Sequence, residues 1–146
     1  MRLSAGISTT ASMALLASLA VATVGCSDRE SRKVAGGYCL DRMFEGDHYN
    51  LTSCWGHSGL TGLTDNGPMD GTIAKLGWDS RYILAWRVAL SRADPDGWML
   101  LDVANDTLEP LITDTALAER KNRSPEVARL VVHDVQTAWQ LLGQTR

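Results

Sequence analysis

No stretch of this 146-residue chain stays apolar long enough to cross a bilayer as a helix, which takes about 20 residues. Basic charge is also scarce. The chain carries 14 Lys and Arg against 17 Asp and Glu, a net charge of −3, and Arg2 is the only charged side chain ahead of Asp28. A nucleic-acid partner needs a basic patch or stripe, and none stands out here. There are only three cysteines, Cys26, Cys39 and Cys54. Internal repeats and low-complexity tracts are missing, and so are a Gly-x-Ser-x-Gly nucleophile elbow, a His-Glu-x-x-His zinc motif and a phosphate-cradling glycine loop. Nothing in the sequence therefore calls for a cofactor.

What is present begins at the N-terminus. After Arg2, an apolar run from Met13 to Val24 has the length of a signal-peptide h-region and is too short for a span. It ends in small residues, Thr23-Val24-Gly25, directly before Cys26. This junction resembles the lipobox of bacterial lipoproteins, with Gly25 and Cys26 matching and Thr23 standing where that family usually has leucine. The resemblance implies cleavage before Cys26 and acylation of that cysteine. Three acyl chains would then hold the mature chain to a lipid bilayer, and two already suffice for stable anchoring. Ser27, in place of the aspartate that favours inner-membrane retention in enteric-type bacteria, leans the expected location toward the outer membrane, facing the periplasm.

The expected organisation is a signal peptide over residues 1–25, a flexible tether over 26–37 and one globular domain over 38–146. The tether expectation rests on the polar, charged stretch Ser27 to Gly37, which closes on a glycine pair. The remainder, about 110 residues, is long enough to bury its own core. Cys39 and Cys54, fifteen positions apart, form an even pair in an oxidising compartment and are expected to be a disulfide. The competing reading is a metal or haem site at Cys54-Trp55-Gly56-His57. Haem attachment needs a second cysteine where Gly56 stands, and zinc would need two further ligands, with only Asp47 and His48 nearby.

The middle of the chain is patterned for strands. Tyr82 to Leu90 alternate, with Tyr82, Leu84, Trp86 and Val88 on one face and Arg81, Ile83, Ala85 and Arg87 on the other. Asp94-Pro95-Asp96-Gly97 supplies a turn into a second strand, Trp98 to Val103, and Asn105-Asp106-Thr107 turns the chain again. Gly71 to Leu76 is a further strand, with Gly77 to Ser80 as its turn. Tyr38 to Met43 and His48 to Ser53 can form a hairpin around Glu45-Gly46-Asp47. The end is helical: Thr113 or Asp114 caps a helix through Lys121, and Ser124-Pro125-Glu126 starts another whose apolar stripe runs from Val127 to Leu142. The expected class is α+β, a small antiparallel sheet with the C-terminal helix packed on one face.

Candidate chemistry is sparse. His133-Asp134 on the last helix suggests a general base, but a partly exposed structural pair is the simpler account. His57-Ser58 has no third residue to orient it. Asp65, Asp70, Asp94 and Asp96 lack the ligand spacing of an EF-hand loop. The tryptophans are more informative. Trp78 and Trp98 lie at the ends of the expected hairpin, and Arg81 and Arg87 fall on one strand face about 20 Å apart. Tryptophan and arginine are common interface anchors, so Trp78, Arg81, Arg87 and Trp98 are the candidate interaction residues. The alternative places the tryptophans in the core and leaves the arginines solvated or paired with Asp79 and Asp102. The segments Gly77-Trp78-Asp79-Ser80-Arg81-Tyr82-Ile83 and Asp94-Pro95-Asp96-Gly97-Trp98 resemble a strand–turn hairpin of small bacterial lipoproteins, a likeness of about thirty residues that carries no activity with it. The periplasmic lysozyme inhibitors are lipoproteins of similar size, but their Ser-Gly-basic-Tyr loop has no counterpart, since Ser58-Gly59 runs on into Leu60-Thr61. The expectation is a non-enzymatic envelope lipoprotein that binds another envelope protein or a cell-wall component. The rivals are a small envelope hydrolase and an immunity or inhibitor-type protein.

Overall fold

A computed structural model describes residues 29–43, 48–54, 71–89 and 95–144, and shows an α+β fold of two antiparallel sheets. The first sheet holds β1 (Arg29–Ala35), β2 (Tyr38–Met43) and β3 (Tyr49–Ser53) in sequential order. In the second, β4 (Gly71–Trp78), β5 (Tyr82–Ala89), β6 (Gly97–Asp102) and β7 (Thr107–Pro110) pair in turn, and β8 (Val132–Asp134) adds to the outer edge of β4. The helices are α1 (Asp114–Arg123), the single turn α2 (Pro125–Ala128) and α3 (Val135–Gln144).

Two cores lie on opposite faces of the larger sheet. One is filled by Leu40 and Leu51 from the small sheet, Ile73, Leu76, Ile83 and Leu101 from the large one, and Ala138, Trp139 and Leu142 from α3. The other holds Tyr82, Leu84, Trp98 and Leu100 against Leu117 of α1 and Val127 of α2. The alternation along β5 does not divide it into a buried and an exposed face. Instead Tyr82, Ile83, Leu84 and Ala85 are all buried, because each face carries a helical cover. The run Trp98-Met99-Leu100-Leu101 in β6 is apolar without a break for the same reason.

The expected hairpins form, although residues 90–94, with Asp94 of the expected turn, lie outside the described residues and Gly97 belongs to β6, where it pairs with Arg87. β2 pairs with β3, Leu40 opposite Leu51, although Glu45-Gly46-Asp47 lie outside the described residues. β5 pairs with β6, and β6 with β7 through a turn in which Asp106 takes φ 51°. Gly77 belongs to β4 rather than to its turn. Thr113 caps α1 by accepting from the Ala116 N–H, and the helix runs on to Arg123. The disulfide between Cys39 and Cys54 closes the open end of the β2–β3 hairpin, with 5.0 Å between the Cα atoms. That commits Cys54 and removes it as a metal or haem ligand.

Two expectations are corrected. Residues 29–35 of the expected tether form β1, in register with β2 from Arg29–Met43 to Ala35–Tyr38. This strand is charged, yet it docks because the Arg32 guanidinium lies 4.1 Å over the Trp139 ring and donates to the Trp139 carbonyl. An arginine stem on an aromatic face does the work of an apolar side chain. The second correction concerns the single helix expected after Ser124. It stops at Ala128, and the β-branched residues after Leu130 go extended, Val132 pairing with Gly77 and His133 with Leu76. Gly77 permits that approach, since a Cβ there would sit 2.8 Å from the Val131 carbonyl oxygen. Asp134 then restarts the helix as an N-cap. Its carboxylate accepts from the Thr137 N–H at 2.9 Å and the Thr137 hydroxyl at 2.6 Å.

Candidate functional site

The strand that interrupts the expected helix also borders a concavity. Trp78 at the end of β4 and Asp79 in the turn beyond it face Glu126 and Arg129 from the α2 region. Leu130, Val131 and His133 run along the approach to β8, and Leu141 of α3 completes the lining. The groove encloses about 360 Å³, toward the small end of ligand-binding clefts. Its apolar wall includes Val131, 66% exposed on the strand-side bend, and the half-buried Trp78. The Trp78 and His133 rings stand 6.1 Å apart, tilted by 57°.

The carboxylates around the groove are already engaged. Asp79 accepts the backbone N–H groups of Arg81 at 2.8 Å and Tyr82 at 2.7 Å, which is the turn chemistry joining β4 to β5. Glu126 pairs with Arg81 at 3.3 Å, and the same guanidinium reaches Asp102 at 3.6 Å. Burial would raise the Asp102 pKa, but hydrogen bonds from the Asn105 side chain and from the Asn105 and Ala104 N–H groups, with Arg81 nearby, hold it below the usual carboxylate range. Asp134 is lowered by its Thr137 hydroxyl and N–H donors. The pattern extends through the described residues. Asp41 accepts from Thr52, Asp96 from the Ala89 N–H, Asp106 from the Tyr38 hydroxyl and Asp114 from the Trp98 indole. Every described aspartate is building a turn, a cap or a link between elements.

The four candidate interaction residues do not form one patch. Trp78 and Arg81 meet at the β4–β5 turn, Trp78 in the groove and Arg81 holding the groove's Glu126. Arg87 lies toward the other end of β5, half-buried, and donates to the Pro95 carbonyl at 2.9 Å, so it closes the β5–β6 hairpin. Trp98 is core: it lies 5.3 Å from Trp86 and bonds Asp114 at the start of α1. It also sits on the face of the sheet opposite Trp78. Trp98 is therefore core, as the alternative expected, and Arg87 bonds a partner that the alternative did not name, while Arg81 pairs with Asp102 as that alternative expected and also borders the groove.

His133, expected on the last helix as part of a partly exposed structural pair, lies instead on an edge strand lining the groove. Glu126, Arg129, Val131 and Leu141 were not singled out in the sequence. Their one local signal is the pair Val131-Val132 followed by Asp134-x-x-Thr137, a strand-forming dipeptide running into a helix cap. His57, Ser58, Asp65 and Asp70 lie outside the described residues, as do Cys26 and the rest of residues 1–28. Among the described residues, no cluster of three or more His, Cys, Asp or Glu could hold a metal ion, and no helix is long and apolar enough to cross a membrane. Comparison with protein-family models, with curated proteins and with solved structures found no match.

Proposed function

We propose that the chain is a bacterial envelope lipoprotein, anchored through acylated Cys26, whose domain is a non-enzymatic module that binds another envelope protein through the Trp78 groove. The observation that carries the binding reading is the groove's composition. An accessible aromatic and an exposed valine stand beside Leu141, ringed by Asp79, Glu126, Arg129 and His133. Such a cleft suits one protruding side chain of a partner, with apolar contact inside and polar contacts at the rim. The anchor reading is supported by the short apolar run and the Gly25-Cys26 junction. The disulfide agrees with an oxidising compartment.

One observation favours the hydrolase reading: His133 shares the groove with two carboxylates. Both, however, are held elsewhere, Asp79 by the turn it caps and Glu126 by Arg81. A general base needs an orienting partner within hydrogen-bond reach, and the bonds these two acids make tie them to the β4–β5 turn and to Arg81.

Site-specific photo-crosslinking in native membranes tests the reading. Benzoylphenylalanine in place of Val131 should give a discrete adduct with one envelope protein, and the same residue in place of Asn105, in the β6–β7 turn, should not. Trp78→Ala should remove the adduct. Equal adducts at both positions, or none at either, would count against the groove as a docking site.

A further inference from the structure

The correction to the tether bears on where the domain sits. With β1 starting at Arg29, only Ser27 and Asp28 separate it from Cys26. However those residues are arranged, the Cα atoms of Cys26 and Arg29 are at most about 11 Å apart, because three trans peptide units reach no further. A headgroup zone is itself about 5 to 8 Å thick on each side of the bilayer. The first residue of the sheet is therefore held within about 11 Å of an acylated Cys26, no more than about two headgroup thicknesses.

Releasing more chain would mean unpairing β1 from β2. β1 is in register with β2 from its first residue. Arg32 is stacked on Trp139 and bonded to its carbonyl, and Ala35 is buried in the core at 7% exposure. The end of the sheet nearest Cys26 is also defined. Arg29 pairs with Met43, the Met43 N–H donates to the His48 carbonyl at 3.1 Å, and Arg42 pairs with Tyr49. The start of β1, the end of β2 and the start of β3 thus come together there. Met43, at that corner, is one of the few large apolar side chains left exposed among the described residues, at 42%.

We infer that the domain stands directly on the bilayer, with this end of the three-stranded sheet pressed to the phospholipid headgroups and Met43 at the contact. The inference rests on acylation of Cys26. The surface it names is distinct from the Trp78 groove, and its occupant is the membrane that holds the anchor. A short link to a rigid edge strand fixes which end of the domain faces the lipid, where a longer tether would leave it free to turn.

The test uses the full-length acylated protein in a supported bilayer of phosphatidylethanolamine and phosphatidylglycerol. It is compared with a variant carrying a Gly-Ser spacer of about 12 residues between Asp28 and Arg29. Neutron reflectometry should show wild-type protein density continuous with the headgroups and a water layer beneath the variant. Under mild peroxide, Met43 should form its sulfoxide several-fold more slowly in the wild type than in the spacer variant. A wild type riding on a water layer as thick as the variant's, or equal Met43 oxidation in the two, overturns the apposition and leaves the anchor standing. A wild type that washes off the bilayer overturns the anchor, and this inference with it.

Discussion

Ile112 takes φ +60° at the connection between β7 and α1, with its side chain 41% exposed. A β-branched residue is poorly suited to the left-handed region, where an L side chain costs about 1 to 2 kcal/mol. The conformation is imposed by its surroundings. The N–H groups of Leu111 and Ile112 both donate to the Trp98 carbonyl, and the Ile112 backbone crosses Gly97 so closely that a Cβ there would lie 2.5 Å from the Ile112 Cα. Ile112→Gly is expected to raise stability by roughly 1 kcal/mol, since glycine accepts this φ without strain. Ile112→Ala, which keeps a Cβ, should give no such gain. Urea denaturation of the two variants checks this, and equal stabilisation by both would mean that the side chain's exposure, not its φ, is at issue.

At the scale of elements, the sheet edge decides the shape of the groove. β8 lies on β4 only because position 77 lacks a side chain. Gly77→Ala would set a methyl group 2.8 Å from the Val131 carbonyl oxygen and 3.1 Å from Val132 Cγ2, so β8 must move away. The expected cost is about 1 to 3 kcal/mol. Amide exchange should quicken at Val132 to Asp134 while the β5–β6 ladder stays protected. Uniform loss of protection would show that β8 is inseparable from the core.

The same elements show what could be read in the sequence. Hairpins were legible because their turn residues and alternation are local, and so was the Thr113 cap. β1 was not, because its hold on the core comes through Arg32 on Trp139, a contact between residues 107 positions apart. The break after Ala128 was masked because Val127, Leu130, Val131 and Val135 satisfy a helical stripe, although Val131 is in fact 66% exposed. The groove was half legible. Trp78, Arg81 and His133 were noticed separately, but the register of β8 on β4 is what brings Trp78 and His133 together. Arg87 and Trp98 resembled interface residues because an arginine and a tryptophan on a strand look alike whether they close a hairpin, fill a core or meet a partner.

For the molecule as a whole, the link between the two sheets is partly a titratable one. Tyr38 on β2 donates its hydroxyl to Asp106 in the β6–β7 turn. Burial first, then the hydrogen bond and the negative charge of Asp106, push the phenol pKa well above its ordinary value of 10.0. A raised folded-state pKa means that this link contributes stability in full below pH 10 and loses it as the pH rises from there toward the folded value. Unfolding midpoints measured at pH 8 and pH 11 should therefore fall further for the wild type than for Tyr38→Phe. The same fall in both proteins would place the alkaline sensitivity elsewhere.

The proposed membrane anchor, and the apposition inferred from it, both depend on acylation of Cys26. The most direct measurement is metabolic labelling of cells with an alkyne fatty-acid analogue, followed by capture of the wild type and of Cys26→Ser. The account predicts label on the wild type, on a species shortened by the 25 residues ahead of Cys26, and no label on the variant, which should stay uncleaved or become soluble. Equal label on both proteins, or label on neither, would contradict it.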